Sequence, residues 1–288
     1  MGLRAKFNLL LLAAFAVRHL VSAAVDWRTL EARARAEVVQ QAGMMLAMAD
    51  AVRHYTGAEV APALTRDGAF HPPAAPFFAA KATLADFSRR MPDYRFKVAA
   101  LDPTNPTDRA APWEAKLIAD FAAHPSLAER AVVRRTAAGP MLSLARPVRL
   151  ADPACLACHS TPAAAPAGLV RHYGARGGFG WKLGGVPAAA IVSVPLAVPL
   201  DRAWRHFLGG LVRSAEMVAF ALVLINLLLH YLIVRPVRRM AEIAAEVSLG
   251  NTDAPEFAAR GGDEIASLGR SFNRMRRSFQ NAMKLLEG

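Results

Sequence analysis

The sequence predicts an α+β domain held outside a membrane between two membrane-spanning helices and followed by a helical coiled coil. Three observations carry that prediction. Two apolar runs, residues 7–25 and 215–234, divide the 288-residue chain. Between them, short alternating stretches are interleaved with short helical ones and with proline-rich breaks. After the second run, apolar residues recur in steps of three and four, the spacing of a helix that packs one stripe.

The apolar share of 54% is high for a soluble chain, and the two runs concentrate it. The second (AEMVAFALVLINLLLHYLIV) has 20 residues, enough at about 1.5 Å each to cross ~30 Å of hydrocarbon. Arg4 and Lys6 precede the first run, and Arg235, Arg238 and Arg239 follow the second. The positive-inside rule then places both ends of the chain in the cytoplasm and residues 26–206 outside, in a protein of the bacterial inner membrane. Arg18 and His19 interrupt the first run, and the small residues of Val21-Ser22-Ala23-Ala24 would suit a signal peptidase. An uncleaved anchor is the reading adopted, because the helical pattern carries on past that cut. The net charge of +12 comes with no nucleic-acid motif, so it is read as arginines at membrane ends and on solvated faces, and no nucleic acid is expected as a partner.

The domain boundaries follow as an anchor over 1–25, an outer domain over 26–206, a second span over 207–234 and a cytoplasmic coiled coil over 235–288. From 26 to 56 there is no proline and one glycine, and Leu30, Ala34, Val38, Gln41, Met45, Met48, Val52 and Tyr55 form a seam. Such a seam marks a rod of roughly 45 Å that packs on a second copy or on the domain itself. Residues 77–90 and 113–124 read as helices and 93–101 as a strand. Runs 131–136 and 141–148 read as a hairpin turning at Ala137-Ala138-Gly139-Pro140. A glycine-rich stretch (YGARGGFGWKLGG) fills 173–185, and 186–195 reads as a buried strand.

The only two cysteines lie in Cys155-Leu156-Ala157-Cys158-His159. Two cysteines three apart with histidine next is the attachment spacing of c-type haem. The thiols add across the two vinyl groups, and the imidazole of the next residue reaches the iron as an axial ligand. One covalently attached haem c is therefore the expected cofactor, held by Cys155 and Cys158 with His159 as iron ligand. Three other uses of the pair stand beside it. A zinc site needs a fourth ligand that no second motif offers. A redox dithiol wants a strand-to-helix turn, whereas Pro147, Pro153 and Pro162 bracket this one. A disulfide across three residues is strained. For the sixth iron position no third cysteine exists, and the apolar seam offers Met45 and Met48. His54 points to the opposite helix face from Met45 and is set second to them. Arg171, Arg176 and Lys182 flank the glycine-rich stretch and read either as cations for haem propionates or, more commonly for loop residues, as solvated charges, and Phe179 and Trp181 read equally as pocket walls or as core. Asn226 and His230 inside the second run read as polar links between helices.

Beyond these residues, Pro103-Thr104-Asn105-Pro106 with Trp113-Glu114, the Cys-Leu-x-Cys-His-Ser run, Ala165-Pro166, Tyr173-Gly174, Gly178-Phe179-Gly180-Trp181 and Val192-Ser193-Val194-Pro195 together resemble the bacterial c-type haem-binding PAS-like sensor domain. The resemblance implies a PAS-like sheet, a periplasmic haem on Cys155, Cys158 and His159, and a redox or small-ligand sensing role. In the tail, Val237, Met240, Ala244 and Val247 step regularly, 250–262 breaks the pattern, and Ile265, Leu268, Phe272, Met275, Phe279, Ala282 and Leu286 resume it. Entered through Arg235-Pro236 and reopened at Asp263-Glu264, this resembles a HAMP linker, which implies a parallel dimeric four-helix bundle and hence a homodimer. No serine, histidine and carboxylate grouping or phosphate loop stands out, so no catalytic site and no enzyme are expected. The chain is read as a haem receptor that signals through a separate cytoplasmic output protein, such as a histidine kinase or a chemotaxis-type component. A membrane-anchored monohaem cytochrome carrying electrons is the alternative.

Overall fold

The computed structural model describes residues 3–65, 69–137, 139–251 and 254–287. In chain order the elements are α1 (Leu3–Tyr55), a π-helical turn (Thr56–Val60), α2 (Ala61–Leu64), α3 (Pro76–Arg90), β1 (Arg95–Ala100), α4 (Pro112–Ala123), β2 (Arg130–Thr136) and β3 (Gly139–Val148). There follow α5 (Leu156–His159), α6 (Ala167–Tyr173), β4 (Ala188–Pro195), α7 (Ala197–Leu228), a second π-helical turn (Leu229–Val234), α8 (Arg235–Ser248) and α9 (Glu264–Glu287). Two compact units result, one of residues 23–207 and one of residues 1–22 with 208–288.

The 23–207 unit is built on a four-stranded antiparallel sheet of order β1-β4-β3-β2. Alternation along the strands sorts the side chains between two faces. Leu142, Leu144, Ala190, Val192 and Val194 pack against Val38, Ala42, Met45, Leu46 and Ala49 of α1 and against Ala80 and Leu84 of α3. Ala99, Ala145, Ala189 and Ile191 face the other way and pack on Leu117, Ile118 and Phe121 of α4. Glu114 accepts from the Ala111 N–H at 2.8 Å and from Lys97 Nζ at 2.6 Å, closing the first turn of α4 onto β1. The hairpin pairs Arg130 with Ala145 through to Thr136 with Gly139, and the expected turn residue Ala138 lies outside the described residues. Where α1 and α7 meet in this unit, Trp27 packs edge-on against Trp204 and Phe207 at centroid distances of 5.4 and 5.6 Å.

The seam of α1 follows the expected one at Ala34, Val38 and Met45 and departs from it at Met48 and Tyr55. Met45 is buried in the core, but Met48 is 54% exposed. Ala42, Leu46 and Ala49 take the remaining inward places, the two alanines letting the helix lie close on the sheet.

In the other unit, the two helices α1 and α7 are long and apolar enough to cross a membrane. Leu10, Leu20, Met217 and Phe220 expose between 69% and 73% of their surface, an apolar coat suited to lipid. Polar groups join the pair from the inside. Asn8 and Asn226 exchange amide hydrogen bonds of 3.0 and 2.9 Å, Ser214 meets His19 at 2.9 Å, and Arg4 meets His230. Because Ser214 stands level with His19, α7 already lies beside α1 before the apolar run 215–234 begins.

In the same unit, Met240 and Ile243 of α8 pack with Ala254 and Phe257 of the connector, supported by Ile265 and Phe272 of α9. Asp263 caps α9 by accepting from the Ala266 N–H at 2.7 Å. Buried Asn273 accepts from the Phe257 N–H at 3.0 Å and donates to its carbonyl at 2.8 Å, which fixes the connector on α9. The expected apolar stripe of α9 therefore divides. Ile265 and Phe272 pack within the chain, whereas Leu268, Met275 and Phe279 stay exposed. The side chain of Leu286 lies outside the described ones.

Candidate functional site

The motif Cys155 to His159 begins on a tight turn. Asp152 accepts from the Ala154 N–H with its side chain at 2.8 Å and from the Cys155 N–H with its carbonyl at 3.1 Å. The chain then winds into α5, so the two cysteines, three apart, fall on one side of a single turn. Both thiols are free and half-buried. Burial, with a smaller contribution from Cys155, pushes the Cys158 thiol up. A redox dithiol needs a thiol pushed down, so this environment does not favour that use of the pair.

His159 is held from three directions. Its Nδ1–H donates to the Gly178 carbonyl at 2.7 Å, the tautomer that leaves Nε2 as the nitrogen with a lone pair. Its ring stacks on Trp181, with centroids 3.9 Å apart and planes 9° apart. Its carbonyl accepts from the Trp181 N–H at 3.1 Å, beside a bond of 2.8 Å from the Gly180 N–H to the Ser160 carbonyl. Burial pushes the imidazole down, only partly offset by the bond to Gly178, which favours the neutral form that a metal ligand needs. A histidine whose second nitrogen is tied to a backbone carbonyl is the usual form of such a ligand.

The glycine-rich stretch is in turn anchored to the loop after β1. Gly178 N–H donates to Asp102 at 3.0 Å. Gly178 has φ +85°, and a Cβ there would stand 2.0 Å from Thr104 Oγ1 and 2.8 Å from Thr104 Cα. Only glycine lets the two loops approach so closely.

Beside His159 an open cavity occupies about 850 Å³, part of it solvent at the mouth. It lies on the α1/α3 face of the sheet, at the end where Val98, Ala100, Val148 and Ala188 project. Phe70, Phe77, Phe78 and Leu169 wall it, and Trp181 joins them. Arg53 lies 3.8 Å over the Phe77 ring and steadies it. The polar lining is Lys81, Thr104, Asn105, Asp108 and Tyr173 with His159. Lys81 pairs with Asp108 and donates to Thr107 at 3.0 Å. Thr104 Oγ1 is buried without a hydrogen-bond partner. A flat apolar group with polar edges fits such walls and such an orphaned hydroxyl. Among the described residues no three His, Cys, Asp or Glu side chains gather as a metal cage, so the fourth ligand of a zinc site is not assembled.

The Tll0287-like family model matches residues 31–195, over half the chain. The chain belongs to the Tll0287-like family. A HAMP domain model matches residues 228–281. The crystal structure of the cyanobacterial heme-protein Tll0287 is similar at 15% identity and a TM-score of 0.42, covering 55% of this chain and 95% of that one. No curated protein matches the chain. A Tll0287-like PAS-like sensor domain joined to a HAMP domain, with two helices able to cross a membrane, is the organisation of a signal-transduction sensor of the inner membrane.

Within the Tll0287-like unit, the residues predicted from sequence separate clearly. Cys155, Cys158 and His159 stand together, with Trp181 on the imidazole. Met45 and Met48 are not brought to the cavity: the first is spent in the α1 core, the second turns outward. Arg171, Arg176, Lys182 and Phe179 do not line it either. Lys81, Asp108 and Tyr173 do; no motif or spacing pointed to Lys81 or Asp108, while Tyr173 belongs to the Tyr173-Gly174 pair of the resemblance. Thr104 sits in the Pro-Thr-Asn-Pro run that carried the family resemblance.

Proposed function

We propose that this protein is a membrane receptor that carries one c-type haem, joined through thioethers to Cys155 and Cys158 and ligated by His159, and reports its redox or ligand state to a separate output protein. The observation that carries the reading is His159 itself: next after two thiols on one turn, with Nδ1 spent on Gly178 and Nε2 left for iron. Haem supplies a redox-active iron and a site for diatomic ligands. The chain's own part is to orient. Gly178 and Trp181 fix the plane of the imidazole, the aromatic walls offer an apolar seat, and Thr104 offers a donor without a partner. Met45 is packed in the α1 core and Met48 turns outward, so neither is proposed as a sixth ligand.

Relay runs along the chain from β4 into α7 and on to α8 and α9. The exposed stripe Leu268, Met275 and Phe279, spaced by seven and four residues, suits a second copy in a parallel bundle. Arginines after the second span support a cytoplasmic HAMP domain and a periplasmic sensor domain. A useful switch needs only a few kcal/mol between two packings. The test is extraction. The wild type should retain haem through acid-acetone treatment, and the paired change Cys155→Ala with Cys158→Ala should release it. Retention in that double variant would overturn the covalent assignment.

A further inference from the structure

The cavity's polar groups are not distributed as its walls are. The walls are aromatic and aliphatic, while every uncommitted polar group on them is a donor or is tied to one. Lys81 is the one lysine or arginine among the described lining residues, 34% exposed at its side chain. Asp108, the one carboxylate there, is already neutralised by Lys81. Thr104 Oγ1 is buried and unpartnered. The Tyr173 phenol keeps its proton well into alkaline pH, through burial and then the nearby charge of Asp108. A buried hydroxyl without an acceptor, a phenol held protonated and an ammonium shared with one neighbour make a set short of negative charge. Apolar walls with such an edge suit a flat hydrophobic body bearing carboxylates.

We infer that Lys81, Thr104 and Tyr173 receive the propionate carboxylates of the haem, and that Lys81 exchanges part of its pairing with Asp108 for a propionate when the haem is in place. The inference rests on the haem reading above. It also reassigns the cations: Arg171, Arg176 and Lys182, which flank the motif in sequence, do not line the cavity, whereas Lys81 reaches it from α3, more than seventy residues earlier in the chain. The neighbourhood of Asp108 has a purpose in this arrangement, since it holds the Lys81 ammonium extended toward the cavity.

The experiment uses full-length protein purified with its haem. Because the thioethers keep the haem attached, Lys81→Met, Thr104→Val and Tyr173→Phe should leave haem content at the wild-type level. In Lys81→Met the resonance Raman bending modes of the propionates should shift, and the pH at which the midpoint potential begins to vary should rise. Thr104→Val and Tyr173→Phe should each give part of the same change. Haem present with these readouts unchanged in all three variants would overturn the inference and leave the haem reading standing. Absence of covalent haem from the wild type would instead overturn the reading beneath it. If added acetate shifts the wild-type spectrum and Lys81→Met abolishes that shift, the carboxylate at Lys81 comes from solution, and the propionate assignment falls.

Discussion

Replacing Gly178 with alanine tests the central arrangement of the site, because that residue touches both the iron-ligand candidate and the opposing loop. Its φ of +85° costs an L-residue about 1–2 kcal/mol. The new Cβ would also stand 2.0 Å from Thr104 Oγ1 and 2.8 Å from Thr104 Cα, a backbone atom that cannot rotate away. Overpacking of that kind adds about 1–3 kcal/mol. The loops must part, and the Gly178 carbonyl is carried off the His159 Nδ1. Gly180 is the internal control: its φ is +72°, but nothing lies within 4 Å of its would-be Cβ. Gly180→Ala should therefore show the conformational cost alone, about 1–2 kcal/mol, and Gly178→Ala about 2–5 kcal/mol in chemical denaturation. The visible spectrum should change only in Gly178→Ala, as the imidazole loses its orienting bond. Equal destabilisation by the two changes, with identical spectra, would refute the claim that the glycine-rich stretch positions His159.

Two further outcomes are expected. Asn226→Leu should lower the stability of the helix pair by about 0.6–1.7 kcal/mol through loss of the reciprocal amide contact, and Asn8→Leu added to it should cost little more, as a double-mutant cycle in detergent would read. The Tyr173 pKa is raised above its ordinary value near 10, so the neutral phenol is the form folding favours. The stability it contributes is fully present below that ordinary value and is lost as pH rises through the folded one. Tyr173→Phe should flatten the alkaline limb of a stability-against-pH curve, and an unchanged limb would show that the phenol does not couple to folding.

Much of the fold was legible because its signals are local. The strands β1 to β4 alternate or run apolar within windows of ten residues, and the helices α3 and α4 start at prolines that stop one segment and open the next. The proposed haem-attachment motif is five consecutive residues. The remainder of the site is assembled from α3, the loop after β1 and α6, so that Lys81, Asp108 and Tyr173 meet only once the sheet brings those segments together. The α1 seam was misread by one step for another reason. The three-and-four stepping is right at Ala34, Val38 and Met45 but falls one residue early at Gln41 and Met48, where the close approach of helix and sheet takes Ala42 and Ala49 instead. The α9 stripe divides because its apolar residues serve two surfaces, and a single chain displays only one of them as core.

The turn at Leu229–Val234 has a consequence for how movement passes down the chain. It is wound wider than an α-helix, with the Arg235 N–H donating five residues back to His230, directly before Pro236, which has no N–H to give. The angular position of α8 about its axis is thus set by how those six residues are wound, separately from the depth at which α7 sits. Rewinding them as ordinary α-helix would swing Met240 and Ile243 round to a new bearing with no piston stroke from α7. At the end of the expected second span, such a winding would act as a screw thread of variable pitch, turning a change of twist into a change of facing of α8.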